Sequence, residues 1–307
     1  MSILTILQQM AVIALLAAIG FYFYRIGKLG TEISTTLSSY VVDICNPALS
    51  LSCILQNDIT TTHKELLLAV FIAACIYFFL IFIGILISKL LRIPSVDQKY
   101  YQMMSVYTNT GFIGIPLAQL LLPSASMIYV IIYNVMYNLF FYTHGLWIMK
   151  PKEKRKEKSS QNSSPLNLGL IGGLFTLIVC WFHLTLPSLL KTTIIYIGNA
   201  NTFLSMILLG ASIAAVPAAQ ILKGGKLYGY LFLRQLCIPV LLSFLLKLLT
   251  FDTALIYGFV LLSAMPAANM PLMLAERNHE PTEILSQGIL LTTVFSLITV
   301  PVILSFI

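Results

Sequence analysis

Long apolar stretches alternate with short polar ones along this chain, and the apolar ones have the length that crosses a hydrocarbon core as α-helix, roughly 18 to 25 residues. The pattern predicts ten spans, at 3–24, 34–55, 66–91, 100–122, 125–149, 166–188, 199–217, 227–249, 253–275 and 283–306. Period-two alternation is too weak for a β-barrel. Two of the ten do not read as plain helix. In the fourth, NTGFIGIPLAQ (109–119) places Gly111, Gly114 and Pro116 at mid-span. Proline lacks the N–H that bonds one turn back and crowds that turn, and glycine lets the backbone leave helical angles without steric cost. In the ninth, MPAANMPLMLAE (265–276) supplies Pro266 and Pro271. Freed peptide groups at membrane depth are tolerated where protein or a watery cavity satisfies them, so each break is a candidate binding site.

Cut after its basic stretch, the chain gives two groups of five spans with a break fourth in each. The predicted units are 1–149, a linker at 150–165, and 166–307. Such a layout is expected of an internally duplicated transporter with two discontinuous helices. The break residues Asn109, Thr110, Gly111, Gly114, Pro116, Ala268, Asn269 and Pro271 are the first candidates for holding a substrate.

Other polar residues inside spans fall into place around these. The second span carries Asp43, Asn46, Pro47 and Ser50. A carboxylate at depth needs a partner or water, so Asp43 is either a functional group or a residue nearer the interface than the span limits imply. In the fifth span Asn134, Asn138, Tyr133 and Tyr137 share one helical side, facing the break or serving as interhelical hydrogen-bonding glue. Gln119 and Gln287, with Thr292, Thr293 and Ser296, are candidate supports for the breaks. Gly210, Ala211 and Ser212 allow close helix approach in the seventh span, short on this reading, which with the similarly placed second span is a candidate for the subunit or domain interface. Pro239 is expected to kink the eighth span, and Arg234 at its start to snorkel to the cytoplasmic surface rather than clamp a substrate.

Composition confirms the class. The chain is 58% hydrophobic and 9% charged, against roughly 25% charged in a soluble domain. Fifteen of the 18 Lys and Arg fall on one side of the predicted spans, most densely in the linker; only Lys64, Lys191 and Lys247 lie on the other. The positive-inside rule then puts the basic loops in the cytoplasm and both termini outside. Scattered over loops without interleaved aromatics, these charges do not read as a nucleic-acid surface. Cys45, Cys53, Cys75, Cys180 and Cys237 lie in apolar spans with no metal-ligand spacing, and no cofactor motif is present. An intramembrane hydrolase needs paired aspartates or a Ser/His or metal cluster at depth, and Asp43 stands alone, so no catalytic residues are assigned.

The two proline-centred motifs, together with LLGASIA (208–214), YTHGLW (142–147) and HEPTEILSQGILLTTVFSLITVP (279–301), resemble the auxin efflux carrier family, which includes bacterial carboxylate permeases and the plant PIN carriers. The resemblance implies an all-α membrane protein of ten helices in two inverted five-helix repeats. Helices 4 and 9 cross at their breaks; helices 1, 2, 6 and 7 form a scaffold, and 3–5 and 8–10 a moving transport domain. It also implies elevator-type transport of organic anions by a homodimer in the cytoplasmic membrane. Asn109 matches the family asparagine before the first crossover, Gly114 and Pro116 the crossover, Pro266 and Pro271 the second, and Pro47 to Ser50 the scaffold segment facing substrate. The plant carriers' long central loop is absent, which favours the bacterial branch and malate-like acids over indole acids. Half-helix N-termini and the neutral donors Asn109, Thr110 and Asn269 suit a carboxylate. A sodium-coupled carrier of bile-acid type is the alternative, with Gln119, Asn269 and Gln287 as its available amide ligands.

Overall fold

Each of the ten expected stretches carries an apolar helix in the computed structural model, which describes residues 3–56, 62–149, 168–215, 225–249, 251–278 and 280–306. The basic linker at 150–165 lies outside the described residues. We number the helical segments α1 (Ile3–Arg25), α2 (31–56), α3 (His63–Leu90), α4 (Gln98–Val106), α5 (Thr110–Leu121), α6 (Ser124–Met149), α7 (Leu168–Trp181), α8 (Ser188–Ala215), α9 (Gly225–Leu248), α10 (Thr253–Ser263), α11 (Met270–Arg277) and α12 (Glu283–Phe306). Six of these helices are long and apolar enough to cross a membrane. Among the described residues no β-strand occurs beyond one isolated bridge.

Local chemistry sets the boundaries. A capping box starts α3: the Thr62 hydroxyl accepts from the Glu65 N–H, and the Glu65 carboxylate accepts from the Thr62 N–H at 2.7 Å. Leu122 and Pro123 separate α5 from α6 with extended backbone. The seventh span is longer than expected, because α8 is a continuous 28-residue helix beginning at Ser188.

Prolines inside the helices are absorbed rather than simply kinking them. Three lie two residues after a π-turn, in which an N–H reaches five residues back instead of four. Asn46 N–H bonds to Val41 O, Ile115 N–H to Thr110 O, and Ile238 N–H to Leu233 O, each just before Pro47, Pro116 or Pro239. Widening the helix there makes room for a ring that would crowd the preceding turn. Pro239 is therefore a π-turn site. A fourth π-turn, Phe141–Gly145, has no following proline and brings His144 Nδ1 within 2.8 Å of the Tyr107 hydroxyl.

Packing sorts the helices. α8 lies along both α1 and α2, and α2 packs on α7; α3 packs on α4 and α6, α6 on α10, and α9 on α10. The α1–α8 contact is backbone on backbone. A Cβ at Gly210 would run into the main chain of Ala17 and Phe21, and one at Gly20 into that of Ile207. Small residues permit this approach. The small stretch at Gly210 thus serves a contact within the chain.

Candidate functional site at the helix crossing

The two broken stretches meet at the centre of the fold. The first leaves the helix at Tyr107–Asn109, between α4 and α5; the second does so at 264–269, between α10 and α11. They run antiparallel and pair through Thr108 and Ala267, with Asn109 N–H donating to Pro266 O at 2.7 Å and Ala268 N–H to Tyr107 O at 3.0 Å. The first break lies just before the predicted glycine-proline core, whereas the second includes Pro266 to Asn269 as predicted. Gly114 and Pro116 belong to the first turns of α5, and Pro271 to the first turn of α11. A helix start tolerates Pro271 because its missing N–H has no partner there anyway, while Pro116 is accommodated by the π-turn before it. The glycine at 114 instead lets α5 approach Leu262 and Met265 of the other break.

Side chains complete the pairing. Asn109 accepts the Phe112 N–H on its Oδ1, capping α5. The Thr108 hydroxyl donates to Leu262 O at 3.0 Å, and Ala267 N–H donates to the Thr292 hydroxyl of α12 at 3.0 Å. Thr110 donates to Asn134 Oδ1 at 2.7 Å, so the polar side of α6 does face the break. Asn138 donates in turn to Asn134 O at 3.0 Å.

Two cavities open beside this crossing. The smaller, about 40 Å³, gathers five carboxamides, Asn46 and Ser50 of α2 standing opposite Asn109, Asn134, Asn138 and Asn269, with Thr110, Gly111, Tyr137 and Ala268 between them. Gly111 is where α2 comes closest, since a Cβ there would meet the Asn46 amide. The larger, about 260 Å³, shares Asn109, Phe112 and Asn269 with the smaller. Hydroxyls line it: Ser34 and Ser38 of α2, Ser205 and Ser212 of α8, and Ser286 and Thr293 of α12. Its lining reaches Tyr24 near the end of α1, Ala215 at the end of α8, and Ser286 in the first turn of α12, which is the side of the basic loops. Among the described residues neither lining contains a charged side chain. Asn46 Oδ1, Tyr137 Oη, Ser34 Oγ and Ser205 Oγ are buried without a hydrogen-bond partner, so both cavities hold polar atoms in need of one.

Several expectations are corrected here. Asp43 is exposed in the π-turn of α2 and lines neither cavity. Gln119 and Gln287 are half-buried and also outside both linings; Thr292 holds the second break. Gly114, Pro116 and Pro271 shape the crossing without lining a cavity. Arg234 does not snorkel: it is 1% exposed, behind the crossing. Tyr137 lines the smaller cavity together with Asn134 and Asn138 of the same helical side; sequence reasoning assigned no role to Ser205, whose spacing is that of any packed helix.

A broken-helix crossing beside a neutral polar cavity, within a bundle of apolar helices, defines a membrane transporter. The chain belongs to the family described as membrane transport protein, which matches residues 5–168 and 163–304, and the resemblance to auxin efflux carriers is thereby borne out. It is 25% identical over 299 residues to an uncharacterized transporter of Methanocaldococcus jannaschii, covering 94% of both chains. An uncharacterized transporter of Methanothermobacter thermautotrophicus is 25% identical over 301 residues, again at 94% of both.

Proposed function

We propose that the protein is a secondary transporter of small organic anions, malate-like carboxylic acids first among them, and not an enzyme. The observation that carries this reading is the ring of neutral carboxamides around the crossing. Amide N–H groups and half-helix N-termini stabilise a carboxylate without a fixed positive charge that would hold it too tightly to release. Asn46 Oδ1, an acceptor without a donor, suits the hydroxyl of a hydroxy acid. A cavity of about 260 Å³ lies below the roughly 300–1,000 Å³ of pockets for drug-sized ligands, which favours a small metabolite.

On this reading the ten spans form two inverted five-helix repeats. Helices α1, α2, α7 and α8 are the scaffold, and the remainder moves past it in an elevator-type step that carries the crossing across the membrane. The unit is a homodimer in the cytoplasmic membrane with both termini outside. In that orientation the larger cavity faces the cytoplasm, an inward-facing state. The test is uptake of labelled malate into proteoliposomes. Saturable flux is expected, falling about tenfold in Asn109→Ala, the effect of roughly 1.4 kcal/mol of lost capping and substrate contact. Undiminished flux in that variant would remove Asn109 from the site, and no saturable flux would remove the substrate class.

A further inference from the structure

The back of the crossing holds a charge that the cavities do not use. Arg234 stands in the π-turn Leu233–Cys237 of α9. Its Nη1 donates to Ser263 O at 2.9 Å and its Nε to Met104 O at 3.4 Å, while Gln235 Nε2 donates to Ala264 O at 2.8 Å. Met104 lies in the last turn of α4, and Ser263 ends α10. One guanidinium therefore joins the C-terminal turns of both half-helices. Such ends carry unpaired carbonyls and the negative pole of the helix dipole. Two of them meeting in an apolar interior repel one another and call for a cation. In broken-helix carriers, half-helix C-terminal ends of this kind are where coupling cations are held.

No carboxylate neutralises Arg234: among the described residues the one ion pair is Lys99–Glu280. Its Nη2 has no hydrogen-bond partner. A neutral donor such as glutamine could reach these carbonyls without bringing an uncompensated charge into the interior, so the charge itself needs a reason. The half-helix dipoles supply it.

We propose that Arg234 is a tethered cation standing in the place of a bound metal cation, so that the crossing keeps its shape and the carrier completes its cycle without sodium. The placement of charge is independent of the substrate; only the statement about the cycle rests on the carrier reading. The test is thermal unfolding of the purified full chain in sodium, potassium or choline chloride at equal ionic strength. The wild type is expected to unfold at the same temperature in all three. Arg234→Ala is expected to lose roughly 5 °C or more and to regain part of it, saturably, with low millimolar guanidinium or sodium. Should Arg234→Ala fail to fold, Arg234→Lys and Arg234→Met decide the matter: the charged variant is expected to unfold at the higher temperature. A saturable rise of the wild type in sodium over choline would overturn the proposal. So would a methionine variant as stable as the lysine one, or an alanine variant that folds and responds to no added cation. None of these readouts depends on malate flux, so failure of the substrate assignment leaves the test intact.

Discussion

On one side of the crossing, the C-terminal turns of α4 and α10 meet Arg234 and Gln235; on the other, the N-terminal ends of α5 and α11 meet carboxamides and hydroxyls around open space. The same broken backbone is treated in two ways. Carbonyl ends receive permanent donors, one of them charged, and are closed off. Amide ends are capped only in part, by Asn109 on the Phe112 N–H, and face cavities whose lining has buried polar atoms still without partners. The difference teaches where the molecule reserves room for something else. The side whose carbonyls are already bonded fixes geometry, even with Arg234 Nη2 and Gln235 Oε1 left without partners; the side that opens on cavities can exchange partners.

Placing a charge on the open side should abolish the contrast. Asn134→Asp keeps size and the acceptor used by the Thr110 hydroxyl, exchanging the amide donor for a negative charge. The carboxylate would face the anion's place, and malate flux is expected to fall more than tenfold at neutral pH, since an unpaired buried charge costs several kcal/mol. Flux undiminished at a pH where that carboxylate is ionised would show that the neutral lining is not where the anion travels.

A second change sharpens the comparison between the two breaks. The first has its own side-chain cap in Asn109, whereas the second depends on α12, through Ala267 N–H to Thr292. Thr292→Val is nearly isosteric and leaves that buried N–H without an acceptor. The expected loss is about 1–3 kcal/mol of unfolding free energy, measured by denaturant or heat. An unchanged stability would mean that the second break is held by its backbone pairing alone.

Much of this was legible in the sequence and some was not, for one recurring reason. Glycine, proline and asparagine inside apolar spans marked both breaks, because their backbone chemistry is local. The polar side of α6 came from i and i+4 spacing, since α6 is regular up to Phe140. The π-turns themselves were not foreseen; each adds one residue and rotates the rest of the helix by about 100°. Asp43 and Arg234 both lie inside such turns; the exposed carboxylate fits the second of its two readings, and the guanidinium, expected at the surface, is buried. The residues at which each helix stops were also out of reach. Tyr107–Asn109 leave the helix because Pro266 and Ala268 offer better partners from the other half of the chain. No local signal encodes that.

The smallest expected effect lies where the two halves meet on the basic-loop side. Glu280, between α11 and α12, pairs with Lys99 at 2.7 Å and accepts from the Tyr100 hydroxyl at 2.9 Å, tying the start of α4 to the second break's exit. Partial burial pushes the Glu280 carboxyl up, but the bonds from Lys99 and Tyr100 outweigh it and hold the group below its ordinary value. A carboxylate depressed in the folded state contributes stability above its unfolded pKa, about 4.3, and loses it as pH falls through the lower folded value. Glu280→Gln keeps an acceptor for Tyr100 and removes the charge. The variant should be less stable than wild type at pH 7 by under about 1 kcal/mol, as for a solvent-screened pair, and the gap should close below pH ~4. Unlike the pairing of Arg234 with the helix ends, this contact sits in water's reach, so added salt should shrink the gap as acid does. A gap that survives both acid and salt would mean that Glu280 acts through packing, and that charge on this side of the crossing matters only where it is buried.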